Sequence, residues 1–206
     1  MRRCFVQSAV AFVLCVCACA AADAQQASAE GVAQVSTNQL GPLTRARPRG
    51  KLEPVTVYFR EGATRIDFRD ADGKSYQLLL PGDGQPGWIL GAKGGALPAP
   101  KAAWPLVFDP QAPCAGQGMF ANCQSQGPGL VAGQNARHWR YRFSRNTGPG
   151  LTSRGDMWLD AETGLVLAYR GETGAGLPQE WRVQSVTYGP LPEDTFDLPK
   201  NTSFGQ

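Results

Sequence analysis

The sequence predicts a mainly β fold, a meander of antiparallel strands with few short helices. Apolar and polar residues alternate with a period of two in several separate runs, the pattern of strands with one buried and one solvated face. Glycine-, proline- and aspartate-rich turn chemistry joins those runs. No stretch carries a 3.6-residue apolar period over about a dozen residues, as an amphipathic helix requires. The composition agrees: 206 residues include 25 glycines and 16 prolines, and only 18% are charged while 42% are hydrophobic. That balance suits a loop-rich globular chain rather than a disordered one.

Residues 1–24 read as an export signal and not as part of the fold. Arg2 and Arg3 head an apolar core from Phe5 to Val16, and small residues then lead to Ala22-Asp23-Ala24. That is the layout of a secretory signal peptide cleaved after Ala24. The apolar stretch is short for a bilayer span and no second one follows, so no integral membrane span is expected. The protein is thus expected to be exported and periplasmic. Val16-Cys17-Ala18-Cys19 resembles a lipobox, which supplies an alternative: an outer-membrane lipoprotein anchored through a lipidated Cys19. Loss of two arginines and one aspartate with the signal takes the formal charge from +3 to +2. A charge that small gives no argument for a nucleic-acid partner.

Residues 25–52 are small, polar and punctuated by Gly and Pro. They read as a flexible N-terminal segment holding one candidate strand, residues 31–37. A β domain is expected over residues 53–200, with 201–206 as a tail. Val55, Val57 and Phe59 alternate with polar neighbours, and so do Ile66 and Phe68 after the turn at Glu61-Gly62. Asp70-Ala71-Asp72-Gly73 is turn chemistry leading to Tyr76, Leu78 and Leu80, and Trp88-Ile89-Leu90 follows as a short fourth strand. Residues 91–131 lose the alternation and read as a long Pro-rich loop, with room for a short helix inside 92–130. Trp104, Leu106, Val107 and Phe108 mark where that loop packs into the core or over its mouth. Alternation returns at His138–Phe143, with Trp139, Tyr141 and Phe143 on one side and His138, Arg140 and Arg142 on the other. Asp160-Ala161-Glu162-Thr163-Gly164 is a hairpin turn into Leu165, Leu167 and Tyr169, and the last long strand carries Trp181 and Val183.

Four of six cysteines leave with the signal, and Cys114 and Cys123 remain. An even pair in an exported chain predicts one disulfide. It also leaves no thiols for a zinc site. His138 is the one histidine, in a strand between Arg137 and Trp139, where a solvent-facing residue is expected rather than a catalytic one. No nucleophile elbow, phosphate-binding loop or dinucleotide fingerprint occurs. The acidic pairs Asp70/Asp72 and Glu193/Asp194 sit in turns. No cofactor, metal or enzymatic activity is therefore expected.

Two surfaces remain as candidates. The aromatic residues Trp88, Trp104, Phe108, Trp139, Tyr141, Trp158, Tyr169 and Trp181 would line a ligand site if the Pro-rich loop acts as a lid, and would be plain core if it fills the hollow. Arg65, Arg69, Arg140, Arg142 and Arg182 fall on polar strand faces and would meet an acidic partner.

Three phrases of the second half resemble bacterial envelope proteins of the LolA/LolB-like superfamily. They are Val131-Ala132-Gly133-Gln134-Asn135-Ala136-Arg137-His138-Trp139, then Trp158-Leu159-Asp160-Ala161-Glu162-Thr163-Gly164-Leu165-Val166-Leu167, then Tyr188-Gly189-Pro190-Leu191-Pro192-Glu193-Asp194-Thr195-Phe196-Asp197-Leu198-Pro199. The resemblance implies a strongly curved antiparallel sheet, an unclosed barrel whose hollow binds acyl chains in the carriers of the superfamily. The chain departs from those carriers in showing neither their long N-terminal helix nor clear plugging helices. The expectation is a non-catalytic exported envelope protein that holds an acyl chain, lipid or lipoprotein in that hollow. The alternative is a protein–protein interaction or scaffold module with a filled core. Sugar stacking on exposed tryptophans is a further reading.

Overall fold

The computed structural model describes residues 29–40, 51–60, 62–70, 72–82, 85–91, 93–99, 106–200 and 202–204. Residues 1–24, read above as an export signal and including Cys19, lie outside them, as does Trp104. Among the described residues twelve strands form one sheet: β1 (Glu30–Thr37), β2 (Glu53–Arg60), β3 (Ala63–Arg69), β4 (Ser75–Leu80), β5 (Trp88–Gly91), β6 (Gly95–Pro98), β7 (Asn122–Val131), β8 (Gln134–Arg142), β9 (Arg154–Asp160), β10 (Val166–Glu172), β11 (Pro178–Tyr188) and β12 (Ser203–Phe204). Their order across the sheet is β12-β6-β5-β4-β3-β2-β1-β11-β10-β9-β8-β7. All pairings are antiparallel except the two-residue β12 along β6. Among the described residues β7 and β12 are the two free edges, and the sheet is not closed into a barrel. The expected fold class holds.

The topology is two meanders joined in the middle. β1 to β6 step outward one way, β11 to β7 the other, and β1 pairs with β11 at the seam. Residues 30–37 are therefore a central strand and not an appendage. Their alternation is the reason: Ala33, Val35 and Thr37 are buried and Gln34 is exposed, and a one-residue slip would reverse that.

The inner face is built row by row. Ala33 opposes Val57, Val57 opposes Ile66, and Ile66 opposes Leu78, all at 2% exposure or less. Across the seam the row runs Trp139, Met157, Tyr169, Trp181 and Thr37. Burying each large apolar side chain contributes roughly 1.5–3 kcal/mol, so these rows carry much of the fold. On the opposite face Leu79, Leu90, Ala96 and Phe196 are buried outside the main cluster, where the 3-10 turn Glu193–Phe196 lies against β3.

Residues 91–131 depart from expectation. No helix occurs in their described part, and among the described residues only two 3-10 turns, Pro149–Leu151 and Glu193–Phe196, are helical at all. Instead the segment supplies β6 and β7. β7 escaped the period-two reading because its side chains are mostly polar or absent, Asn-Cys-Gln-Ser-Gln-Gly-Pro-Gly-Leu-Val. It is held as an edge by backbone pairing to β8 along its length. The stretch from Leu106 does pack inward. Leu106 and Phe108 are buried while Val107 between them is 46% exposed. The Phe108 N–H donates to the Gly164 carbonyl at 3.0 Å, and the Val166 N–H donates to the Leu106 carbonyl at 2.7 Å. Gly164 is required there: its φ is +73° and a Cβ would stand 1.9 Å from the Phe108 carbonyl oxygen. Cys114 and Cys123 form the expected disulfide, with Cα atoms 5.7 Å apart.

Candidate functional site

The structure divides the aromatic candidates into three groups. Phe108, Tyr141, Tyr169 and Trp181 lie in the core at 6%, 2%, 0% and 2% exposure. Tyr169 stacks on Trp181 with centroids 6.4 Å apart, and the Tyr141 ring packs on Phe143 at 5.1 Å. The Tyr141 hydroxyl pairs with that of Thr152, which donates to the Pro149 carbonyl at 2.6 Å. Burial pushes both phenols, Tyr141 and Tyr169, above the ordinary tyrosine value, so they act as neutral hydroxyls. Trp139 is half-buried on the same face, with its indole N–H donating to the Pro110 carbonyl at 3.3 Å; the Pro-rich loop thus lies on it. Trp88 and Trp158 lie on the other face, because each pairs with an outward residue, Leu79 and His138. Trp104 lies outside the described residues.

The outer face of β7–β11 carries the chemistry the inner face lacks. One cross-strand row reads Gln124, Arg140, Asp156, Arg170 and Glu180; the next reads Asn122, Arg142, Arg154, Glu172 and Pro178. Arg140 reaches Asp156 at 3.2 Å, Arg170 reaches Glu180 at 3.0 Å and Arg154 reaches Glu172 at 2.6 Å. His138 sits 3.0 Å from Asp156 as well. These two rows line a cleft of about 700 Å³. Exposed pairs of this kind are worth only about 0–1 kcal/mol each to the fold, so stability does not account for the array. Arg142 stands opposite Arg154 and makes no ion pair among the described residues. Gln179 also lines the cleft, and its Oε1 is buried without a hydrogen-bond partner among the described residues.

A second, smaller cleft of about 360 Å³ adjoins the first, sharing Arg170 and Glu180. Its row is His138, Trp158, Ala168 and Arg182. His138 lies flat on Trp158, 4.2 Å between centroids and 9° between planes. Leu130 and Ala132 of the β7–β8 hairpin form its rim.

Of the arginine candidates, Arg140 and Arg142 line the larger cleft and Arg182 the smaller. Arg65 and Arg69 do not join them. They are on β3, with β2 and β1 between them and β11, and Arg65 is committed to Asp67 at 2.8 Å and to the Tyr58 ring at 4.9 Å. The sequence reading missed Arg154, Asp156, Arg170, Glu172 and Glu180. A signal existed: Arg154-Gly155-Asp156 and Arg170-Gly171-Glu172 are one phrase written twice on antiparallel neighbours. Antiparallel pairing sets each arginine against the other strand's acid and glycine against glycine.

No protein-family model matches the chain, and no curated relative matches it either. Solved structures do. An uncharacterized conserved protein from Thermus thermophilus is similar with a TM-score of 0.52 at 10% identity, covering 87% of this chain and 91% of that one. It shares the fold. A chain of the Pseudomonas aeruginosa MucA/MucB complex is similar at 0.42 and 16% identity; this chain covers 59% of it, with 87% of its own length matched. A LolA superfamily protein from Nitrosomonas europaea is similar at 0.36 and 8% identity, over 84% of this chain and 90% of that one. The superfamily that the sequence phrases resemble is represented among these similar solved structures. No helix among the described residues is long and apolar enough to cross a membrane.

Proposed function

We propose that this chain is a non-catalytic, exported envelope protein that binds a protein partner on the outer face of β7–β11, its inner face serving as core. The observation that carries the reading is the contrast between the two faces. Four of the aromatics that would line an acyl-chain hollow, Phe108, Tyr141, Tyr169 and Trp181, are packed into the core at 0–6% exposure, while the outer face holds an ordered array of charges around an open cleft. The array contributes little to stability, and complementary charges are how proteins select partners and speed their encounter. Arg142, exposed and without an ion pair among the described residues, is the residue set to meet a partner's carboxylate.

The first measurement is native mass spectrometry of the mature protein from the exported fraction. A mass equal to the polypeptide with one disulfide is expected. Added mass of a fatty acid or phospholipid, lost on delipidation, would restore the acyl-chain reading. The second places a photo-crosslinking residue at Gln124, beside Arg140 in the cleft. A cross-linked partner that weakens with salt and disappears in Arg142→Glu is expected. A product indifferent to both would remove the proposal.

A further inference from the structure

The smaller cleft has a shape of its own. Trp158 is covered on one side by the stacked imidazole of His138. Gly129 lies at the indole edge, where a Cβ would already stand 3.4 Å from Cδ1. On its other side the register places Ala168, and beyond Ala168 stands Arg182. Trp158 and Arg182 are therefore two strand spacings apart, roughly 9.5 Å, with only a methyl group between them. A flat ring in van der Waals contact with both walls needs about 7 Å, twice the usual contact distance of about 3.5 Å. On strand spacing the row leaves room for a slot one ring wide over Ala168, with the Trp158 indole on one side and the Arg182 side chain on the other. Both walls favour a π system: the indole by offset stacking, the guanidinium by lying over a ring face. Leu130 at the rim, 71% exposed, adds apolar contact.

From this row we infer that the slot over Ala168 receives an aromatic side chain of the partner, held between Trp158 and Arg182. The inference rests on the partner-binding reading and names its anchor. The ligand class is an extended polypeptide segment, because the slot opens into the larger cleft through Arg170 and Glu180. That cleft presents both signs of charge in strand register. A segment of mixed charge carrying one Tyr, Phe or Trp fits both features. Such anchors, buried in a central pocket and ringed by polar contacts, dominate the energy of many interfaces.

The test follows the Trp158 indole resonance of nitrogen-labelled mature protein, assigned through Trp158→Phe. The probe is a capped pentapeptide, Glu-Lys-Tyr-Glu-Lys, against the same peptide with Ala for Tyr. Saturable shifts with the tyrosine peptide, and binding at least about tenfold weaker for the alanine peptide, are expected, a difference of about 1.4 kcal/mol. Ala168→Leu fills the slot and abolishes the preference; Arg182→Ala, an exposed change that leaves folding intact, reduces it. Equal affinity for the two peptides overturns the inference, and so does saturation by a chitin tetrasaccharide in their place. The Gln124 cross-link separates the two levels. If Ala168→Leu leaves it at wild-type yield, the aromatic anchor falls and partner binding stands. If no Arg142-dependent cross-link forms in the wild type, the partner reading itself falls.

Discussion

The hydroxyl of Tyr169 donates to the side-chain carbonyl of Gln39, a residue 130 positions earlier in the chain. Both are buried, Tyr169 at 0% and Gln39 at 9% exposure, so this bond fastens the segment after β1 to the core strand β10. Gly150 passes against it with φ at +63°, and a Cβ there would stand 1.9 Å from the Tyr169 oxygen. Tyr169→Phe keeps the ring and strands the glutamine carbonyl, which costs about 1–3 kcal/mol. Gly150→Ala is expected to cost more, from the left-handed backbone and the collision together. Urea denaturation of both single variants and the double variant checks this. The double variant should fall short of the summed losses, since removing the oxygen relieves part of the collision.

Glu30 sets an acid limit on the seam between sheet and tail. One of its carboxylate oxygens accepts the Leu191 N–H at 2.7 Å and the Arg60 Nε–H at 2.7 Å. The Leu191 bond first, and then Arg60, hold the carboxyl below its ordinary value of 4.5. A folded pKa below the unfolded one adds stability that is fully present above the unfolded value and is lost as pH falls through the folded one. Wild type should therefore exceed Glu30→Gln in urea midpoint at neutral pH, and the gap should close in acid below pH 4.5. A gap of constant size across that range would sink this account.

Particular residues show how far the sequence could be read. The hairpins from Val55 to Leu80 were legible because alternation and turn residues agree, and register then follows from burial. The same parity rule, applied strictly, also places Trp158 outward, since Met157 and Leu159 on either side of it are fully buried. Treating all tryptophans as one inner set hid that. β7 was not legible, since an edge strand of Gly, Gln, Ser and Pro satisfies its backbone without an apolar face. The outer charge array needs the register of five strands, which no single run of residues displays. Only the doubled Arg-Gly-acid phrase hinted at it.

The Cys114–Cys123 link closes a loop nine residues long in separation, for which chain entropy gives about 2.5 kcal/mol. Cys114→Ser with Cys123→Ser should lower the thermal midpoint by several degrees and leave the far-ultraviolet β signal unchanged. The link lies at the start of β7, where both half-cystines pack against the edge of the core cluster. Alkylation of native protein without reductant should label neither thiol, and two labelled cysteines would exclude the link.

The Pro-rich segment offers a contrast within a few residues. Phe108 is 6% exposed and lies 6.4 Å from the Phe143 ring, whereas Met119 and Phe120 are 93% and 77% exposed. Phe108→Ala empties a site that neighbouring β-strands cannot collapse into and should cost about 3–5 kcal/mol. Phe120→Ser removes an equally large ring from a position that packs against little, and should change stability by no more than about 0.5 kcal/mol. Denaturant midpoints of the two variants decide the matter. Similar losses would mean that the segment folds down over the sheet as a lid. The predicted inequality would mean that its first half is core and its disulfide loop is displayed to solvent, leaving Met119 and Phe120 available as contact residues.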